Sequence, residues 1–406
     1  MNENRLYPRQ QRLVHLDVLR GFALLGILLV NFEWFARPLQ AIVLGAEPGL
    51  AGADRVVDWL IAALAEGKFY PLFSMLFGAG FALMAERAEA RGSRFGPIYL
   101  RRIALLGLFG LAHMLLVWAG DILLVYSLFA FVMVLLFRNT PVSRLWKWSV
   151  LFFVAPLLLL WLGALGIWAS QFDPEVHSEV MSDFAESSEQ ARERIDVAAR
   201  IHAEGGWTEN LAQRGRDMAF SLAHLPFWGL PVLGFFLLGR WLVATGRLIR
   251  PDEYPDFYRR LAGPGVLLGL ALAVSATLLL HEANLMVPTF SVALGASLAA
   301  AASVVLSLGY LALVVRRAGQ LAFLAPAGQM ALTNYLLQSL VWTWLLYGHG
   351  AGLGDSITRA AHLPLALVFF AGQAGFSIWW LKRFRFGPAE WLWRSLTYWQ
   401  AQPMRR

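Results

Sequence analysis

Residues 15–31 read HLDVLRGFALLGILLVN. A helix over this run and its flanks, from 16 to 36, is about 31 Å long at about 1.5 Å per residue, enough to cross the hydrocarbon core of a bilayer. Asp17 and Arg20 stand at its entrance, three residues apart and so on one helical face, where a structural ion pair or a snorkelling anchor is the plain reading. Asn31 lies eleven residues beyond Arg20, about 16 Å along the axis, so the two mark opposite leaflets of one span. The plain role of an amide there is an interhelical hydrogen bond.

The rest of the 406-residue chain repeats this pattern, with 58% hydrophobic and 15% charged residues, more apolar surface than one water-soluble core needs. After the first span, further spans read at roughly 59–85, 103–119, 122–137, 148–170, 217–244, 261–281, 289–315, 320–346 and 362–381. The expected fold is all-α, a single polytopic transmembrane bundle of about ten spans. When sides alternate, 25 of the 34 Lys and Arg residues fall on one side, which places both termini in the cytoplasm of a bacterial-type inner membrane. Trp34, Trp59, Trp118 and Trp168 near one set of ends, and Trp146, Trp148, Trp379 and Trp380 near the other, fit aromatic belts. The net charge of +7 sits between apolar spans rather than along one stripe, which excludes nucleic acid as the expected partner.

The N-terminal run Arg5, Arg9 and Arg12 ahead of an apolar segment looks like a signal peptide, but the small-x-small site at Ala51–Ala53 lies too far downstream. The first span is therefore expected to remain. The one long connection, 171–216, carries Asp173, Glu175, Glu179, Asp183, Glu186 and Glu189 and is expected to form solvated helices capping the outer face. It divides spans one to five (1–170) from spans six to ten and a tail (217–406). In that tail FGPAEWLWRSLTYW has Pro388 near a helix start and Glu390 four residues before Arg394, the pattern of an interfacial cytoplasmic helix. Cysteine is absent, so thiolate nucleophiles and Cys-bound metals are excluded. No HExxH, Walker, GxSxG or dinucleotide fingerprint is present, and no metal is expected.

Ionisable groups within spans are costly and mark candidate sites. His113 is the sharpest, because an imidazole titrates near neutral pH and can act as base or relay; its plain alternative is a satisfied packing residue. Asp121 follows eight residues later, about 12 Å along a helix, so a His–Asp dyad requires a helix break near Gly120. Gly107 and Gly110 predict tight packing beside His113. Lys68 is expected near the outer end of the second span, with Gly78 and Gly80 permitting close helix approach. In the ninth span Gln329, Thr333, Asn334 and Gln338 form a polar seam, which Gln373 and Ser377 extend on the last span. Such amides line a cavity or join helices but carry out no acid–base chemistry.

The stretches LDVLRGFALLGILLVN, KFYPLFSMLFGAG, HMLLVWAGDILLVY, GQMALTNYLLQS and FGPAEWLWRSLTYW together resemble the YeiB-like family of bacterial membrane proteins, over nearly the whole chain. That family resembles more distantly the transmembrane acyltransferases of the acyltransferase-three and heparan glucosaminide N-acetyltransferase types, mainly through the first span. In many acyltransferase-three proteins a reactive His stands where this chain has Asn31. The glucosaminide pattern has a further His where this chain has Ile42, so here His113 would have to supply the base.

The resemblance implies acyl transfer from cytoplasmic acyl-CoA or acetyl-CoA to an acceptor at or across the membrane. Donor would enter near Asp17 and Arg20, with Asn31 polarising the thioester and Asp121 or Lys68 tuning the base or holding acceptor. Ser74, Tyr126, Asn334, Gln338 and Gln373 are the remaining binding candidates. Expected partners are membrane lipids, a small-molecule, glycan or lipid acceptor, and further copies of the chain. The alternatives are a proton-coupled transporter or exporter of a small polar or amphipathic solute, and a noncatalytic scaffold.

Overall fold

The computed structural model describes residues 13–45, 47, 49–90, 92, 95–281 and 283–406, and these are almost entirely helical. The basic run Arg5, Arg9 and Arg12, and also Arg91 and Arg94, lie outside the described residues. In chain order the helices are α1 (Val14–Ala36), α2 (Gly52–Leu64), α3 (Tyr70–Ala90), α4 (Phe95–Leu116), α5 (Leu123–Phe137) and α6 (Val142–Ser170). Then come α7 (Pro174–Glu204), α8 (Trp207–Ala223), α9 (Leu225–Ala244), α10 (Pro255–Arg260), α11 (Val266–Leu280) and α12 (Phe290–Arg316). The chain closes with α13 (Ala325–Gln329), α14 (Ala331–Leu346), α15 (Arg359–Leu381) and α16 (Pro388–Tyr398).

Among the described residues seven helices are long and apolar enough to cross a membrane: α1, α4, α6, α9, the joined α10–α11 run, α12 and α15. On α6, Leu158 is 56% and Leu162 63% exposed, and on α11 Leu267 is 70% exposed. Leucines so placed have no protein cover, and lipid is the solvent that such a surface fits. The chain is a multi-pass helical membrane protein.

α1 packs against α13, α14 and α15 and also meets α3, which in turn crosses α9. Its apolar residues join one core with Leu72, Met75, Phe235 and Leu242, while Phe81, Tyr99, Val125 and Phe236 build a second between α3, α4, α5 and α9. At one end of the bundle, called the basic end below, α16 lies across the start of α4, with Arg101 Nη1 donating to Thr397 O at 2.9 Å and Trp393 Nε1 to Arg102 O at 2.9 Å. The opposite, far end carries α7 and α8. Asp173 caps α7 by accepting from Glu175 N and Val176 N, with Pro174 in the first turn.

Three sequence expectations change. The second span, 59–85, is two elements, because a turn with Gly67 in the left-handed region (φ 73°) separates α2 from α3. The sixth and ninth begin later, after α8 ends before Pro226 and after the α13 turn holding Pro326. Glu390 does not meet Arg394. It caps α14, accepting from Leu332 N (2.7 Å), Thr333 N (3.0 Å) and Thr333 Oγ1 (2.6 Å), since first-turn amides have no intrahelical partner and carry positive partial charge.

Gly78 lets α3 approach α9 as expected: a Cβ there would overlap the Phe236 carbonyl, and one on Gly239 the Met75 carbonyl. Gly80 faces open space instead. Gly78→Val is therefore expected to destabilise by about 2–3 kcal/mol through overpacking, read as a lower thermal midpoint in detergent, with Gly80→Val near wild type. Equal midpoints for the two variants would contradict this crossing.

Candidate active site

α4 ends at Leu116, and residues 117–122 turn the chain back into α5. This break brings Asp121 beside His113, at 2.9 Å between Oδ1 and Nδ1. Gly110 makes room, since a Cβ there would press on Leu124 N and on the Asp121 carboxylate. Asp121 Oδ2 accepts from Leu124 N at 2.9 Å at the start of α5, and Oδ1 also accepts from the Tyr335 hydroxyl at 3.3 Å. The Tyr335 oxygen in turn accepts from Ile122 N at 3.3 Å. A carboxylate that already accepts from Leu124 N and Tyr335 OH is an acceptor, so His113 meets it with an N–H at Nδ1.

That leaves His113 Nε2 as acceptor, and Ser339 Oγ of α14 lies 2.6 Å from it. All three side chains are buried, His113 5%, Asp121 2% and Ser339 1% exposed. The result is an Asp–His–Ser chain, in which the imidazole can take the hydroxyl proton while the carboxylate stabilises the imidazolium.

The other expected site residues are distributed. Asp17 and Arg20 form the expected pair at 2.7 Å, at the basic end. Asn31 is half-buried and makes no hydrogen bond among the described residues, so nothing links it to His113. Lys68 lies in the α2–α3 turn, buried, with Nζ donating to Ala62 O at 2.8 Å. Ser74 Oγ and Tyr126 OH meet at 2.8 Å, and Tyr126 donates on to Tyr70 O at 3.1 Å, tying α3 to α5.

The amide seam joins α14 to α15. Asn334 Nδ2 donates to Ser377 Oγ at 3.0 Å, Gln338 Nε2 to Gln373 Oε1 at 2.8 Å, and Gln373 Nε2 to Asn334 O at 2.9 Å. Asn334 Oδ1 and Gln338 Oε1 remain buried without partners among the described residues.

Sequence reasoning missed Ser339 and Tyr335. Their one signal is a spacing of four on the α14 face adjoining the amide seam. It also missed a buried charge cluster at the far end. Arg359 Nη2 is 2.5 Å from Glu33 Oε2 and also bonds Asp58, His362 Nδ1 is 3.0 Å from Glu33 Oε1, and His281 Nε2 is 3.3 Å from Asp58 Oδ2. Glu33, Asp58, Arg359 and His362 are buried. Arg359 Nη1 also lies 3.3 Å from Glu47 Oε2, so one guanidinium gathers three carboxylates.

Cavities open at both ends of the bundle among the described residues. One of about 770 Å3 opens at the basic end, lined by Phe81, Glu86, Phe95, Arg138 and Arg240. A small one of about 10 Å3 lies at the far end, between Trp34, Trp118, Arg214 and Tyr347. Beside it, the His202 ring of α7 stacks on Tyr347 at 4.4 Å. Burial pushes the His202 pKa down to about 4, helped by Arg214 and His349.

Unfolded, His202 titrates near 6.5. Its contribution to stability is therefore complete above that pH and is lost as pH falls toward 4, because the unfolded chain takes up a proton the folded one refuses. His202→Phe, which keeps the stack, is expected to recover on the order of 2 kcal/mol of that loss between pH 7 and 4.5. Parallel midpoint–pH profiles for the two proteins would mean that the imidazole is solvated.

Residues 242–400 match the family described as "Protein of unknown function (DUF418)". The chain is 33% identical to the uncharacterized protein YxaH of Bacillus subtilis, over 97% of its own length and 96% of the relative's. It is 31% identical to the uncharacterized protein YeiB of Escherichia coli, over 97% and 98% respectively. An uncharacterized 39.9 kDa protein encoded in the amylase 3′ region of Bacillus acidopullulyticus is 30% identical, over 96% and 94%. No solved structure matches the chain.

Proposed function

The chain belongs to the family of the YxaH and YeiB proteins, and we propose that it is a membrane-embedded acyltransferase using His113 as general base. The observation that carries this reading is the Asp121–His113–Ser339 chain, buried where water is excluded. In this reading Ser339 Oγ attacks the thioester carbon of acyl-CoA and its proton passes to His113 Nε2. The C–S bond breaks, the thiol leaves with that proton, and an acceptor hydroxyl then takes the acyl group from Ser339 by the reverse proton path.

The bundle would cross a bacterial inner membrane ten times with both termini cytoplasmic. This is supported by the gathering of Arg20, Arg101, Arg102, Arg138 and Arg240 at the basic end. Donor would then approach from the basic end, and acceptor from the far end, where Trp118 and Ala119 of the 117–122 turn line the small cavity.

The test is thiol release from acetyl- to long-chain acyl-CoA by the purified protein. With no cysteine in the chain, every thiol detected comes from the donor. Release that disappears in His113→Ala, with an acyl adduct on Ser339 by intact mass, supports the reading; no release with any chain length refutes it.

The Glu33–Arg359–Asp58 cluster with its two imidazoles favours a second reading, proton-coupled transport. Proton flux in liposomes lost in His362→Ala, without any thiol release, would replace the first reading by the second.

A further inference from the structure

Arg214 of α8 is among the largest fully buried side chains, 2% exposed, and meets no carboxylate within ion-pair distance among the described residues. Its Nε donates to Leu115 O at 2.8 Å and its Nη1 to Val117 O at 3.3 Å, the carbonyl end of α4, where a cation is favoured. The guanidinium lies 4.7 Å from the Trp207 ring centroid. Capping α4 accounts for two of its nitrogens. The third, Nη2, is buried and has no partner among the described residues, and Arg214 lines the small far-end cavity.

Asp217 also lines the cavity and offsets this charge in part, without an ion pair to Arg214 among the described residues. Asp217 Oδ1 is occupied by Gln40 Nε2 and Gln213 Nε2, both at 2.9 Å, and Arg37, which also lines the cavity, shares Glu47 at 3.8 Å. Burial and Arg214 hold His202 and His349 toward the neutral form, and His349 Nδ1 is likewise unpartnered. A buried cation with an unpartnered donor beside a cavity that it lines is the requirement of an anion site.

We infer that this cavity binds a small anionic group, a carboxylate or a phosphate, held by Arg214 Nη2 and Arg37. At about 10 Å3 it admits the tip of one such group rather than a whole metabolite. Resting on the acyltransferase reading, the group is the anionic end of the acceptor, because the cavity wall includes Trp118 and Ala119 of the turn that joins His113 to Asp121.

The experiment measures binding to the full-length protein in neutral detergent, without acyl donor, so that it reads the site even if no acyl transfer exists. Succinate and glycerol 3-phosphate serve as soluble anions and glycerol as the neutral control, by calorimetry. Phosphatidylglycerol against phosphatidylcholine, by native mass spectrometry, reports a lipid headgroup as the source.

The expected result is saturable binding of a soluble anion or preferential retention of phosphatidylglycerol, weakened at least tenfold in Arg214→Gln and unchanged in the exposed control Arg192→Gln. Should Arg214→Gln not fold, Arg37→Gln is expected to weaken binding at least threefold. No anion binding by wild type, equal binding of glycerol, or binding unaffected in the folded variants overturns the inference. Anion binding without thiol release keeps this site and refutes the acyltransferase reading alone.

Discussion

Asp121→Asn is expected to lower thiol release from acyl-CoA by about 10^3- to 10^4-fold while leaving the fold intact. An amide at this position can still accept from Leu124 N or Tyr335, so the turn from α4 to α5 keeps its anchor. What it loses is the negative charge that fixes the Nδ1 proton and stabilises the imidazolium. An asparagine NH2 facing His113 would move the imidazole proton to Nε2, which then donates toward Ser339 instead of accepting. Ser339→Ala is expected to fall by a comparable factor and to lose the covalent adduct, and the double variant to be little worse than either single, because the parts act as one unit. Additive losses, or wild-type turnover in Asp121→Asn, would remove these residues from the chemistry and leave them as a packing network.

Arg359→Leu is expected to cost about 3–5 kcal/mol of stability, since it leaves Glu33 and Asp58 buried without their shared guanidinium across α1, α2 and α15. The comparison that makes this specific is a charge-balanced variant. Arg359→Leu combined with Glu33→Gln and Asp58→Asn removes all three charges and is expected to recover most of the loss, because the penalty lies in the unpaired carboxylates. Chemical denaturation in detergent reads both. A single variant within about 1 kcal/mol of wild type would mean that water reaches the cluster.

The membrane architecture follows from composition and periodicity, because a helix in lipid must satisfy its own backbone and expose apolar side chains to the tails. Local pairs were legible for the same reason. Asp17 and Arg20 are three residues apart on one helix, and Gly110 near His113 predicted a crowded face that the α4–α5 contact realises. The requirement for a break near Gly120 was legible too, since helical rise alone keeps His113 and Asp121 apart.

Ser339 was not, although it stands in the quoted stretch GQMALTNYLLQS, because a lone serine in an apolar helix has no pattern to distinguish it. Only the packing of α14 against the α4–α5 turn places its hydroxyl at the imidazole, 226 positions along the chain. Glu33 and Arg359 are likewise brought together from opposite ends of the chain, and Glu390 leaves its helical neighbour Arg394 for the start of α14. The sequence by itself determined an all-helical membrane protein and the helices that carry its ionisable groups, since hydropathy and helical period are local. The tertiary structure alone decided which of those groups meet, because a buried charge or hydroxyl takes its partner from whichever helix packs against it, regardless of distance along the chain.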